Sequence, residues 1–182
     1  MEVWAKSFEK LGTEEKTTNF DEKFADQVTK SVKDKAQQDL DAKQLPSLLD
    51  QDIQFAEIQR AIKNLKRGKA IGIDKYMNEI FMYSGEKVIE ATWRLCVEVF
   101  RTEKYPRDWA RGLIFPIFKG GPKELTHNPL KYRGITLLSV LGKIYTAVLN
   151  ERVTAWAETQ KILVEEQAGF RKGRSTIDQL LY

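Results

Sequence analysis

Apolar residues recur at helical spacing in three stretches of this chain and form a strand-like run in a fourth. Phe55, Ile58, Ile62 and Leu65 stand three or four apart, which predicts a helix with one apolar face, stopped by Gly68. Arg60, Lys63, Lys66 and Arg67 crowd its polar side and C-terminal end, where cations suit the helix dipole. A Gly-containing loop, Lys69–Asp74, leads to a short helix around Asn78–Met82. Ser84 or Gly85 opens a longer helix whose stripe is Val88, Ile89, Trp93, Cys96, Val97 and Phe100, with Pro106 ending it. The third stripe is Leu141, Ile144, Tyr145, Val148, Leu149, Val153 and Trp156, with Ser139 placed to cap the helix.

Between the second and third stripes the pattern changes. Leu113–Phe118 is apolar on both alternating faces, as in a buried strand, and Pro116 within it marks an edge or a bulge. Gly134–Leu138 forms a second short strand across the polar loop Gly120–Lys131, so the two predict a hairpin with a long tip. Residues 1–52 are polar. Trp4, Phe8, Phe20 and Phe24 are scattered through them, and Phe24, Val28 and Val32 keep a roughly helical spacing. This stretch is expected to be an arm of one or two polar helices, connected through Gln44–Asp52 to a main unit over 53–182. At the other end, Thr176 and Gln179 fit a capping box, but only about six residues follow before the chain stops on Leu180-Leu181-Tyr182. That reads as an interrupted helix with an uncovered apolar turn. The expected class is α+β, mainly helical with a small antiparallel hairpin.

Charge sharpens the picture. Net charge is +4, but residues 1–110 carry 19 Lys and Arg against 20 Asp and Glu, whereas residues 111–182 carry 11 against 6. The positive field therefore belongs to the C-terminal part. One cysteine, Cys96, excludes an intrachain disulfide. No run approaches the roughly 20 apolar residues of a membrane span, and the expectation is an intracellular protein with no membrane partner, nucleus and cytoplasm not being separated.

Beyond position 110 the acids are Glu124, Glu151, Glu158, Glu165, Glu166 and Asp178. They are placed as solvated helix-face or loop residues, so no catalytic or metal-binding residue is assigned. His127, the sole histidine, lies in a polar loop without ligand spacing, and Cys96 falls on an apolar stripe. Lys119 closes the first strand and Tyr132-Arg133 opens the second, so an antiparallel pair brings both cations to one tip. A Lys point charge beside a guanidinium fork suits a polyphosphate. Spacing alone leaves open that they are solvated charges beside a loop. Gln167–Arg174 adds three cations, an aromatic and two glycines within eight residues, which fits a phosphate-approaching, base-stacking loop or a plain basic loop before a helix.

These segments also carry a family resemblance. Trp109-Ala110-Arg111-Gly112-Leu113-Ile114-Phe115-Pro116-Ile117-Phe118-Lys119 resembles the first fingers strand of LINE-type (non-LTR) retrotransposon reverse transcriptases. Tyr132-Arg133-Gly134-Ile135-Thr136-Leu137-Leu138-Ser139 resembles their second. Gln167-Ala168-Gly169-Phe170-Arg171-Lys172-Gly173-Arg174-Ser175-Thr176 resembles their motif before the palm, and Gly68–Asp74 with Asn78-Glu79 resembles the extra motif ahead of the fingers. Gly134 departs from the pattern, since many relatives carry proline there. The resemblance implies an incomplete right-hand polymerase domain: arm, fingers and entry to the palm, without palm or thumb. It implies that Lys119 and Arg133 hold the triphosphate of an incoming dNTP, that Gln167, Gly169, Phe170, Arg171, Lys172 and Arg174 meet the template–primer, and that Lys69 and Asp74 help grip template RNA. The partners implied are an RNA template, a DNA primer and dNTP, with Mg2+ in the complete enzyme held by aspartates outside this chain. Three readings follow: a polymerase fragment catalytically incompetent alone, a non-catalytic nucleic-acid-binding module, and a non-functional element remnant.

Overall fold

The structure is a computed structural model that describes residues 2–11, 22–41, 49–164, 166–175 and 177. The expected final helix and the Leu180–Tyr182 turn lie outside the described residues. The class is α+β, with seven α-helices and one two-stranded antiparallel sheet among the described residues. No helix among them is long and apolar enough to cross a membrane. The chain divides into two units, 46–112 with 138–182 and 1–45 with 113–137.

The first unit is helical. Its elements are α3 (Phe55–Lys63), α4 (Asn78–Met82), α5 (Glu86–Thr102), α6 (Arg107–Ala110) and α7 (Val140–Thr159). Helix α3 packs on both α5 and α7, burying Ile58, Ile62, Cys96, Val99, Ile144 and Val148 in one core. Three boundaries or faces differ from the periodicity. Helix α3 ends at Lys63, five residues before Gly68, where the Asn64 N–H closes the last turn on the Arg60 carbonyl and the Leu65 N–H turns back to the Ile62 carbonyl. Helix α5 ends at Thr102, where Glu103 takes a left-handed conformation (φ 56°), and Pro106 instead starts α6, which carries Trp109 into the core. On α7, Val153 and Trp156 are exposed, and position 152 faces inward in their place.

That inward residue is an arginine. Arg152 is 2% exposed and donates to both carboxylate oxygens of Glu57, at 2.7 and 2.6 Å. It also donates to the carbonyls of Gln51 and Asp52, and its guanidinium lies 5.6 Å from the Phe100 ring centroid. The Glu57 carboxylate accepts a further bond from the Gln54 N–H at 2.7 Å. A buried charge is tolerated only when paired and hydrogen-bonded in this way.

The second unit holds α1 (Glu2–Leu11), α2 (Glu22–Asp41) and the hairpin of β1 (Leu113–Phe118) and β2 (Tyr132–Leu137). The pairs run from Leu113 opposite Leu137 to Phe118 opposite Tyr132. The Lys119 N–H donates to the Lys131 carbonyl at 2.8 Å, which makes 119/131 a hydrogen-bonded pair. Hydrogen-bonded and non-hydrogen-bonded pairs alternate, so Pro116, opposite Gly134, sits at a non-hydrogen-bonded pair. Its missing donor faces away from the ladder, and the strand runs through without a bulge. The tip carries two short 3-10 turns, Lys123–His127 and Pro129–Lys131.

The expected buried strand is instead largely exposed. Leu113, Phe115, Ile117 and Ile135 are all more than 40% accessible. A lone two-stranded ribbon has two faces, and α1 packs only on the one carrying Tyr132 and Gly134.

Candidate nucleic-acid interface

The hairpin register decides how its cations stand. Arg133 is opposite Ile117, and Lys119 lies two positions beyond Ile117. Side chains alternate along a strand, so Lys119 and Arg133 share one face as diagonal neighbours, roughly 7–8 Å apart at their backbones. Both are exposed. The Lys119 ammonium is steadied by the Leu130 carbonyl at 2.8 Å, and the Arg133 guanidinium is committed to no other described residue. An exposed, uncommitted fork beside an anchored ammonium can bind several oxygens of one anion.

In the helical unit, residues 166–175 fold back along the C-terminal half of α7. Arg171 fastens them. Its side chain is 9% exposed and forms a bidentate pair with Glu158 at 2.9 and 2.8 Å. It donates as well to the carbonyls of Val164, at 2.9 Å, and Gln167, at 3.3 Å. Arg171 holds the Glu158 carboxyl below the usual carboxylate range. Gln167 donates from Nε2 to the Gly169 carbonyl at 3.0 Å. Beside this strut Phe170 is fully exposed with φ 63°, a left-handed conformation that costs an aromatic residue on the order of 1–3 kcal/mol and persists only where its surroundings impose it. Lys172 is exposed, and Arg174 is half-buried. Phe170, Arg171, Lys172 and Arg174 line a cleft of about 750 Å³ together with Ala61, Ala147 and Ala155. All six residues expected to meet template–primer therefore sit on one loop. Arg171 is the strut of that loop, and Glu158, read from sequence as a solvated acid, is its anchor.

The motif ahead of the fingers has an internal use that its spacing did not reveal. Asp74 accepts from the Val140 N–H at 3.0 Å through Oδ2 and from the Tyr76 N–H at 3.3 Å through Oδ1. It thus caps α7 together with Ser139, whose Oγ accepts from the Gly142 N–H at 3.4 Å. Gly72 lies against the same turn, and a Cβ there would overlap the Leu138 carbonyl, 2.7 Å from its carbon. Glu79 accepts from the Gly68 N–H at 2.6 Å, and Asn78 donates to the Lys66 carbonyl at 2.8 Å. Outward, the loop presents Lys69, Lys75, Tyr76 and Met77, while Arg67 stands 5.2 Å over the Tyr83 ring. Because Asp74 satisfies a helix N-terminal donor, Asp74→Ala is expected to cost about 1 kcal/mol, range roughly 0.5–2. Asp74→Asn, which keeps an acceptor oxygen, should cost less. Urea midpoints of the two variants check this, and equal midpoints would refute the capping role.

Nucleophilic and metal chemistry find little here. Burial pushes the Cys96 thiol up to about 12. Asp52, Glu57, Asp74, Glu79 and Glu158 are engaged by arginines or backbone N–H groups. No group of three His, Cys, Asp or Glu among the described residues is arranged to hold a metal ion, so they do not fit a divalent-cation site.

No family model matches the chain. It is similar to three Drosophila melanogaster proteins. Identity to the probable RNA-directed DNA polymerase from transposon BS is 32% over 147 residues, 79% of this chain. For the probable RNA-directed DNA polymerase from transposon X-element it is 30% over 68% of this chain. For the putative 115 kDa protein in type-1 retrotransposable element R1DM it is 28% over 69%. The matched segment spans only 16%, 13% and 12% of those three proteins.

Proposed function

The chain belongs to the RNA-directed DNA polymerase family of non-LTR retrotransposons, and from that premise we propose that it supplies the nucleotide- and template-gripping part of a reverse transcriptase. Lys119 and Arg133 hold the triphosphate of an incoming dNTP. The loop Gln167–Arg174 lies against the template–primer, with Lys172 on a phosphate, Phe170 on a base, and Arg171 acting through the loop it braces. Lys69 and its neighbours on the Gly68–Glu79 turn meet template RNA, while Asp74 keeps that turn on α7. The observation that carries this reading is the shared face of Lys119 and Arg133, one of them uncommitted. The complete enzyme requires a divalent metal held by carboxylates other than those described here, so the 182-residue chain alone binds but does not extend. An intracellular location accompanies this reading.

The test is binding of an RNA-template/DNA-primer duplex to the purified chain across a salt series, with dNTP and Mg2+ added to look for extension. Binding should be weak and phosphate-driven, falling steeply with salt. Lys172→Ala should weaken it similarly on all sequences and lower the log–log salt slope by about 1. Salt-independent binding, or primer extension above a buffer blank, overturns the proposal.

A further inference from the structure

The polar N-terminal arm has one half-buried face. On α1, Trp4, Ser7 and Phe8 are half-buried at helical spacing, and the neighbouring positions are exposed. The Trp4 ring meets the Tyr132 ring edge-on, centroids 4.6 Å apart. Phe8 lies over Gly134, where a Cβ would stand 2.9 and 3.3 Å from two of its ring carbons and 3.0 Å from Ile114 Cγ2. Tyr132 and Gly134 are the residues on either side of Arg133. Strand alternation turns them towards α1 and turns Arg133 to the opposite face.

We propose that α1 is a positioning element for the nucleotide clamp: Trp4 and Phe8 grip the two residues flanking Arg133 and so set where its guanidinium stands. The proposal rests on the reading of Arg133 as a triphosphate contact. An isolated two-stranded ribbon is marginal and twists readily, and a small rotation of β2 is magnified at the end of a long arginine side chain. Two ring contacts at 132 and 134 remove that freedom before the anion arrives, so less ordering is left to oppose binding. Glycine at 134 has a specific reason here. The residue opposite Pro116 must leave room for a ring from α1, and any Cβ would push that ring away.

The test titrates the 182-residue chain with sodium tripolyphosphate, following the Arg133 Nε–H resonance, and measures amide exchange over residues 132–137. Phe8→Ala should weaken tripolyphosphate binding roughly five- to thirtyfold, the cost of re-ordering about one residue. It should also speed exchange in β2 while leaving protection in α3, α5 and α7 unchanged. Gly134→Ala should do the same, and adding Phe8→Val to it should restore part of the affinity by vacating the space. If Arg133→Ala abolishes binding while Phe8→Ala leaves affinity unchanged, with or without faster exchange, the positioning role of α1 is wrong and the nucleotide reading stands. Unchanged binding in Arg133→Ala overturns the nucleotide reading, and the role of α1 with it.

Discussion

Arg152→Ala should lower the unfolding free energy of the helical unit by about 3–5 kcal/mol, the cost typical of removing one partner of a buried ion pair. The variant leaves the buried Glu57 carboxylate without its ion-pair partner, removes a donor from the Gln51 and Asp52 carbonyls, and empties the space beside Phe100. Such a loss is a large part of the 5–15 kcal/mol that holds a domain together. The double variant Arg152→Met/Glu57→Met should lose much less than the losses of Arg152→Met and Glu57→Met added, since no charge is then buried alone. Urea unfolding of the four proteins measures the coupling, and additive losses would show that the pair is not a unit. The pH dependence supplies an independent sign. In the native chain the hydrogen bonds from Arg152 hold the Glu57 carboxyl below the usual carboxylate range, outweighing its burial. Its folded pKa is therefore below its unfolded one, about 4.3. The contribution is fully present above that unfolded value and is lost as pH falls through the lower folded one. Without Arg152 the largest lowering influence is gone, and burial is opposed only by the Gln54 N–H and the charge of Arg60, so the carboxyl rises from its native value. The Arg152→Ala protein should then gain stability relative to the native chain on acidification, narrowing the gap. A gap constant between pH 7 and pH 3 would exclude this account.

In a polymerase that joins this segment to a palm, Arg133→Ala should weaken nucleotide use roughly tenfold to a hundredfold. One charge-assisted contact is worth about 1.5–3 kcal/mol, and 1.4 kcal/mol is a factor of ten. Arg133→Lys should recover only part, because a point charge does not replace a bidentate fork. Template–primer affinity should hardly move. Arg171→Ala should give the reverse pattern, with weaker template–primer binding at near-normal nucleotide dependence. The cause in that case is indirect: the guanidinium is spent on Glu158, Val164 and Gln167, and its loss frees the loop that presents Phe170 and Lys172. Steady-state kinetics over dNTP concentration and over template–primer concentration separate the two. If both variants shift both dependences equally, the cations form one undivided electrostatic surface and the separate roles are wrong.

What the amino-acid sequence determined by itself was local. The bounds of α4, the Ser139 cap, the strand Leu113–Phe118 and the meeting of Lys119 with Arg133 follow from spacings of a few residues or from one hairpin, because backbone torsions and alternation act over that range. The motifs carried the family as well, since Gly68–Glu79, the two strands and Gln167–Arg174 stand in order along the chain. The tertiary structure alone decided what many of the charged and aromatic residues do. Arg152 and Glu57 are 95 residues apart, Asp74 and Val140 are 66 apart, and Arg171 finds Glu158 across a turn that no repeat predicts. Trp4 and Phe8 looked like stray aromatics in a polar arm until the hairpin lay against them. A charged or aromatic side chain reads the same in sequence whether it is solvated, paired or buried. Packing brings distant segments together, excludes water between them and thereby settles which partner it has.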